Sequence, residues 1–353
     1  MLQYIVRRLL WMVPTLLGIT VVVFVVAHSM PGDPATVALG IGGTGEMQEG
    51  VDVEARIAAF RKEHGLDLPL WKQYLNFLGP FNLKENGHAW FGGSGVDPWE
   101  GLLALDLGTE LQNKNRSVMA EMGKRLKITV SLSLIAVLLS YLIAIPAGIV
   151  AAVRSGTRLD GAMTLVLFVL YSIPTFWGGL MLILIFGKAG LGWLPVLGLQ
   201  SPDAETMSLG ARVWDMGLHA VLPIATLTYG SLAYLSRQMR VGMIDVIHQD
   251  FIRTARAKGL SERVVVLKHA LRNSLIPVIT IFASILPILV GGSIIVETVF
   301  DIPGMGLYTY KGLLNRDYNI MMATVTFSAF MTLIGILMSD IAYGLADPRI
   351  SYD

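Results

Sequence analysis

Six stretches of this chain are apolar, free of Asp, Glu, Lys and Arg, and long enough to cross a bilayer. They are Leu9–Ala27, Ile128–Val153, Gly161–Gly187, Met216–Ser236, Asn273–Val296 and Tyr318–Ser339. A membrane-spanning helix takes about 20 such residues, and water inside lipid is too scarce for any backbone that leaves its polar groups unpaired. The third stretch alone holds fourteen Leu, Ile, Val and Phe residues. At roughly −0.3 to −0.6 kcal/mol each these supply about −4 to −8 kcal/mol towards insertion, more than its few hydroxyls oppose. Charged residues make up only 15% of the chain, against about 25% in soluble domains. The deficit lies in continuous runs rather than on one side of amphipathic helices, so lipid rather than an oversized core accounts for it. The expected fold is an all-α integral membrane protein of about six transmembrane helices. The fourth stretch is the weakest, because His219 and several Gly and Thr residues dilute it.

Net charge is +1 and there is no cysteine. The first offers no footprint for nucleic acid. The second removes disulfides and thiol or Cys-based metal chemistry, and leaves the redox compartment open. Arg7 and Arg8 before the first apolar stretch look like the start of a signal peptide. Signal cores run to about 7–15 residues and end at small-residue cleavage sites, so this longer stretch reads as an uncleaved anchor.

Charge asymmetry sets the expected orientation. With the N-terminus cytoplasmic, segments 1–8, 154–160, 237–272 and the tail after 346 carry thirteen Lys and Arg, whereas loops 188–215 and 297–317 carry four. Lys and Arg gather on the cytoplasmic side of short loops, so both termini are expected there. The long segment 28–127 carries ten basic and thirteen acidic residues and reads as external. Within it, Asp52–His64 reads as a helix stopped by Gly65, and Pro69–Leu78 as a second, with Pro69 near its first turn and Gly79 as the stop. Residues 79–101 read as loop. The expected organisation is 1–29 for the first span, 30–127 for the external segment, and 128–353 for a transmembrane core with a cytoplasmic loop at 241–272.

Nucleotide chemistry is not expected on this chain. Gly40-Ile-Gly-Gly-Thr-Gly45 fits G-x-G-x-x-G, but a dinucleotide site needs it between a strand and a helix, and here it follows a membrane span. No G-x-x-x-x-G-K-[ST] occurs. Five spans contain proline (Pro14, Pro146, Pro174, Pro223, Pro277 and Pro287), which removes a helix hydrogen bond. Kinked spans suit a pathway that opens and closes, although proline is common in membrane helices in any case. Glu297 and Asp340 sit at span ends, where carboxylates can pair locally, and a structural role is expected of both. His219 is read mainly as a hydrogen-bonded structural residue, and secondarily as facing a pathway.

The segment with most chemical information is Asp250-Phe-Ile-Arg-Thr-Ala-Arg-Ala-Lys-Gly-Leu260, continued by His269-Ala-Leu-Arg-Asn273. Phe251, Ala255 and Lys258 recur at helical spacing, Gly259 allows a sharp reversal, and a second helix over about Glu262–Leu271 leads into the fifth span. Two short helices joined at a glycine would form a rigid knob, able to pass force between a soluble partner and the membrane helices. The competing reading is that its basic residues merely follow the positive-inside rule.

At these residues the chain resembles the permease subunits of the dipeptide/oligopeptide ABC importers, including the related nickel permeases. The loop is similar to that family's cytoplasmic docking loop, whose broad pattern is Glu-Ala-Ala, three residues, Gly, nine residues, Ile-x-Leu-Pro. With Gly259 on the pattern glycine, Arg253, Thr254 and Ala255 fall on Glu-Ala-Ala, and His269, Leu271 and Arg272 on Ile, Leu and Pro. Only Ala255, Gly259 and Leu271 agree with the broad pattern. The subfamily version, Arg-Thr-Ala-Arg-Ala-Lys-Gly-Leu then His-Ala-Leu-Arg-Asn, is present in full. Further matches run in order along the chain: Pro31-Gly-Asp-Pro34, Gly65-Leu-Asp-Leu-Pro-Leu70, Tyr171-Ser-Ile-Pro-Thr-Phe-Trp177, Gly192-Trp-Leu-Pro195, Gly291-Gly-Ser293, Val296-Glu-Thr-Val-Phe300, Pro303-Gly304, Arg316-Asp-Tyr318 and Asp347-Pro-Arg349. The external segment departs from the pattern by an insertion near 81–104.

The resemblance implies a non-enzymatic permease subunit, in the inner membrane, of an ABC importer for peptides or similar small solutes. It further implies two separate ATPase subunits, a second homologous permease and an external solute-binding protein, with ATP and Mg used by the partner subunits and no cofactor bound here. The implied ATPase-coupling residues are Asp250, Arg253, Thr254, Ala255, Arg256, Lys258, Gly259, His269, Leu271 and Arg272, and the candidate pathway residues are Tyr171, Pro174, Trp177 and His219. The rival class is an ion-coupled secondary transporter, which should show inverted repeats or charges near the midplane; the sequence shows neither. A membrane hydrolase ranks last, since no H-E-x-x-H occurs.

Overall fold

The computed structural model of the protein describes residues 2–41, 53–79, 101–275 and 285–346. The expectations for Gly42–Gly45, Asp52, most of the insertion near 81–104, Pro277 and Asp347–Arg349 lie outside those residues. The described chain is helical, with no strand beyond the isolated bridges Gly101–Asp106 and Thr109–Ser117. In order, the helices are α1 (Leu2–Ser29), α2 (Pro34–Ala38), α3 (Val53–His64), α4 (Leu70–Leu78), α5 (Val118–Val153), α6 (Arg158–Ser172), α7 (Thr175–Phe186), α8 (Leu209–Ile247), α9 (Asp250–Ala257) and α10 (Glu262–Val264). A π-helical turn (Val265–Ala270) then leads into α11 (Leu271–Ser274), followed by α12 (Ile285–Gly291), α13 (Ile294–Val299), α14 (Met305–Leu314) and α15 (Tyr318–Ala346).

Among the described residues α1, α5, α8 and α15 are long and apolar enough to cross a membrane, and α6 with α7 would make a fifth span. The first, second, fourth and sixth apolar stretches therefore each lie within one continuous helix. The fifth runs through residues 276–284, outside the described set. The third stretch is not the single kinked span expected from sequence. Its two halves meet at a 97° bend, and the cause is local. Pro174 has no N–H to continue the ladder, and its ring drives the preceding residue out of the helical region; Ile173 sits at φ −77°, ψ 117°.

The chain divides into two units. The first comprises Met1–Ile5, Ile128–Leu307 and Met331–Asp353. Here α5 and α8 approach through small residues, as membrane helices must when no water drives them together. A Cβ at Gly148 would lie 2.6 Å from both the Met239 Cβ and the Ser236 carbonyl oxygen. Ser140 shares a 2.7 Å hydrogen bond with Ser231. Gly178 of α7 leaves room for the Tyr229 ring, whose hydroxyl donates to the Pro174 carbonyl at 3.3 Å. Farther along, Leu132, Ala136, Leu222, Ile224, Val296, Phe300 and Ile302 form one apolar core.

Beside that core Glu297 is buried, as its expected structural role requires. Its carboxylate accepts the Thr129 hydroxyl at 3.0 Å and the Leu307 N–H at 2.7 Å, while Thr129 Oγ1 accepts the Met305 N–H at 2.8 Å. Gly292, Gly304 and Gly306 surround the group, and a Cβ at Gly292 or Gly304 would collide with it. Asp340 accepts the Tyr4 hydroxyl at 2.8 Å.

The second unit comprises Val6–Lys127 and Tyr308–Phe330. Asp33 caps α2 by accepting the Ala35 N–H and also takes an Arg61 hydrogen bond at 3.0 Å. A small core of Ala35, Phe60 and Leu111 lies beneath α2 and α3. Helix α3 stops at Gly65 (φ 67°), as expected, whereas Pro69 is the N-cap of α4 rather than its first helical residue. Asp317 fastens the start of α15: its two oxygens accept the Leu111 N–H at 2.7 Å and the Ile320 N–H at 3.1 Å. Burial pushes the Asp317 carboxyl up to about 6, helped by the nearby Glu110 and opposed by those two N–H groups.

Candidate functional site

The segment after α8 folds as two short helices with a reversal between them. Helix α9 ends at Lys258, its C-cap, and Gly259 follows at φ 78°. That left-handed conformation favours glycine. No heavy atom lies within 4 Å of where a Cβ would sit at Gly259, so the requirement is conformational rather than steric. The Lys258, Gly259 and Leu260 N–H groups donate to the carbonyls of Thr254, Arg256 and Ala255, closing the helix end. The chain then turns through Ser261 into α10, the π-turn and α11, a helical path over Glu262–Ser274 that covers the expected second helix.

What makes this a knob rather than a loop is an apolar stripe. Ile252 is 0% exposed and Ala255 nearly so, and they pack with Val265, Val266 and Ala270 of the π-turn. The same cluster includes Met239, Met243 and Val246 from the end of α8, and Ala152 of α5. Of the helically spaced Phe251, Ala255 and Lys258, Ala255 lies on the inner face and the other two do not. Phe251 is 40% exposed and Lys258 is exposed, while Ile252 faces inward. Both candidates were apolar, so spacing alone could not choose between them. Ser274 adds a buried hydrogen bond to the Met243 sulfur at 2.8 Å.

Polar groups hold the outside of the turn. Arg256 grips Glu262 with two hydrogen bonds, Nε to Oε2 at 3.1 Å and Nη2 to Oε1 at 2.6 Å, bridging the Gly259 reversal. Those bonds hold the Glu262 carboxyl below the usual carboxylate range. Asp250 and Arg253 pair at 3.3 Å in full exposure, and the Thr254 hydroxyl donates back to the Asp250 carbonyl at 3.0 Å. Of the predicted set, Asp250, Arg253, Thr254, Arg256, Lys258 and Gly259 share the exposed side of α9 and its turn. Ala255 lies in the packed stripe, His269 and Leu271 are half-buried, and Arg272 is exposed.

A neighbouring anchor was not visible in the sequence. Arg240, on the last turns of α8, donates Nε to Asp160 Oδ1 at 2.9 Å and Nη2 to Oδ2 at 2.8 Å. Asp160 also accepts the Gly156 N–H at 3.0 Å, and these bonds hold its carboxyl low. Eighty residues separate the partners, and no local pattern signals such a contact.

The candidate pathway residues differ in setting. Tyr171 and Trp177 are exposed on either side of the 97° bend at Pro174, whereas His219 is buried on α8 with Nδ1 2.9 Å from the Asp215 carbonyl. His219 thus has the hydrogen-bonded structural setting expected first.

Several long apolar helices, with a packed, charge-faced knob after α8, define a multi-pass membrane protein. Comparison with known proteins gives the family. Residues 1–133 match the N-terminal component, and 144–352 the main component, of the family described as binding-protein-dependent transport system inner membrane component. Among relatives, the oligopeptide transport system permease protein AppB of Bacillus subtilis (strain 168) is 37% identical over 352 residues, covering 100% of both chains. The dipeptide transport system permease protein DppB of Escherichia coli (strain K12) is 33% identical over 370 residues, covering 100% of this chain and 99% of that one. A solved structure of the MetNI methionine ABC transporter in inward-facing conformation aligns with TM-score 0.50 over 65% of this chain and 97% of that one, at 17% identity. That likeness concerns the fold. The chain belongs to the binding-protein-dependent transport system inner membrane component family. It is an ABC importer permease rather than an ion-coupled secondary transporter, and its role is transport.

Proposed function

We propose that this chain carries peptides through a pathway formed with a second, homologous permease, and that two separate ATPase subunits drive it through the knob around Gly259. An external solute-binding protein delivers the cargo to the mouth on the side of segment 30–127, and both termini face the cytoplasm. Core 128–353 holds the pathway, and loop 241–272 carries the coupling. ATP and Mg act in the partner subunits, and no cofactor belongs to this chain. The observation that carries the reading is the two-sided build of the knob. Ile252 and Ala255 seal one side onto the end of α8 and the π-turn, while Phe251, Arg253, Arg256 and Lys258 stand exposed on the other. A rigid body packed against a long membrane helix passes displacement on, whereas a flexible loop would absorb it. The peptide reading rests on relatives named for oligopeptide and dipeptide transport.

The test is reconstituted uptake beside ATPase activity. Proline cannot adopt the φ of 78° at Gly259, so Gly259→Pro should leave ATP hydrolysis running while peptide uptake collapses. Normal uptake by that variant would show that the knob is not the coupling element.

A further inference from the structure

The second unit carries a feature that the transport cycle does not use. Helix α4 is short and strongly apolar along one side, and none of its residues is fully buried. It runs beside the last turns of α1. The Tyr74 hydroxyl meets Thr20 Oγ1 at 2.9 Å, the Tyr74 and Phe24 rings meet edge-on at 5.4 Å, and Gln73 Oε1 lies 3.1 Å from His28 Nε2. Thr20 stands seven residues inside the end of the apolar stretch at Ala27. At 1.5 Å per residue that is about 10 Å below the rim of the stretch. Tyr74 therefore reaches down into the hydrocarbon edge, and α4 lies at headgroup level instead of in bulk water.

Between the two helices runs a groove of about 290 Å³ lined by Phe24, Val25, His28 and Ser29 of α1 and Leu70, Trp71 and Tyr74 of α4. Its walls are mostly apolar, yet Leu70 and Trp71 stand 58% and 61% exposed at its mouth. Val25 of the groove, with Val21, Val22 and Val26, stands on the exposed flank of a membrane-spanning helix. Next to the groove-lining Trp71, the Lys72 ammonium lies 5.4 Å from that ring's centroid. Tryptophan favours the headgroup layer because its ring is apolar and its N–H is polar, and lysine beside it sends its charge out to the phosphates. Apolar walls beside that flank, with an aromatic ring and a cation next to it, match one kind of occupant.

We propose that the α1–α4 groove binds a membrane glycerophospholipid, with an acyl chain along Phe24, Val25 and Tyr74 and its phosphate at Lys72 and the Trp71 N–H. The lipid is held more tightly than its bilayer neighbours, and it exchanges with them during reconstitution. Through Tyr74 and Thr20 it braces the external segment on α1.

Two measurements on the transporter, purified with its co-isolating subunits, test this. In nanodiscs, the Trp71 emission is the difference between wild type and Trp71→Phe. It should lose most of its intensity to lipids brominated near the headgroup, and little to lipids brominated at the chain end. In native mass spectrometry, a phospholipid adduct retained by the wild-type chain should be lost in Lys72→Glu. Trp71 is exposed and Lys72 half-buried, and monodispersity in detergent checks that the variants fold. If no brominated lipid quenches Trp71, the groove is covered by protein, such as the second permease, or by water, and the proposal fails. If Trp71 is quenched but no adduct depends on Lys72, the ring only touches bulk lipid, and the bound lipid is overturned.

Discussion

Replacing Ile252 with alanine asks what holds the knob together. Ile252 is 0% exposed and packs among Met239, Met243, Val246, Val265 and Val266. The knob joins the membrane helices at their end, so the hydrophobic effect of water acts on it. Three carbon groups are removed, worth about 0.8 kcal/mol each in transfer alone. The cavity term raises the total to about 2–5 kcal/mol, the usual range for a buried large-to-alanine change. The competing restraint is the Arg256–Glu262 pair, with side chains 41% and 54% exposed. Solvent screening limits an exposed pair to about 0–1 kcal/mol. Ile252→Ala should therefore loosen α9 far more than Glu262→Gln does. Hydrogen–deuterium exchange of peptides covering 250–260, in the assembled transporter, reads this directly. A loss of 2–5 kcal/mol in local opening raises exchange by about 30-fold or more, since about 1.4 kcal/mol is tenfold, whereas Glu262→Gln should change it by less than about fivefold. Uptake per ATP should fall with Ile252→Ala and hold near wild type with Glu262→Gln. If Glu262→Gln exposes α9 as much as Ile252→Ala does, packing is not what makes the knob rigid and the reasoning is wrong.

Two further outcomes follow from the packing and the charges. Asp317 has its carboxyl raised to about 6 in the folded chain, above the ordinary value near 3.9. The folded state therefore binds the proton more tightly, so its stability contribution is complete below about pH 4 and is lost as pH rises through about 6, a swing of about 3 kcal/mol. The melting difference between wild type and Asp317→Asn, followed in detergent across that window, should shift steadily with pH; parallel curves would refute the assignment. Gly148→Val places a branched side chain where a Cβ already lies 2.6 Å from the Met239 Cβ and the Ser236 oxygen. It should cost about 1–3 kcal/mol through overpacking and lower the melting temperature by several degrees, while the same change at Gly123, with nothing within 4 Å, should do much less.

Hydropathy and glycine placement made much of this chain legible before any coordinates. Four of the six apolar stretches are continuous long helices, because helix formation in lipid follows from the local requirement to pair every backbone group. The stops at Gly65, Gly79 and Gly259 were likewise legible, since the left-handed backbone at each depends on the residue itself. Pro174 marked a break in the third stretch, but not its size. The 97° turn leaves α7 lodged against α8, where Gly178 meets Tyr229, a residue fifty-one positions away.

Other features were decided only by the fold. Phe251 and Ile252 are neighbours of similar hydrophobicity, and which one packs inward depends on where the π-turn and the end of α8 lie. Asp160 finds Arg240 across eighty residues, and Glu297 finds Thr129 across 168. One-dimensional patterns report what each residue prefers for itself and its near neighbours. The partners that satisfy a buried charge, or that choose between two equal apolar faces, come from elements brought together by packing, and there the amino-acid order alone holds no local signal.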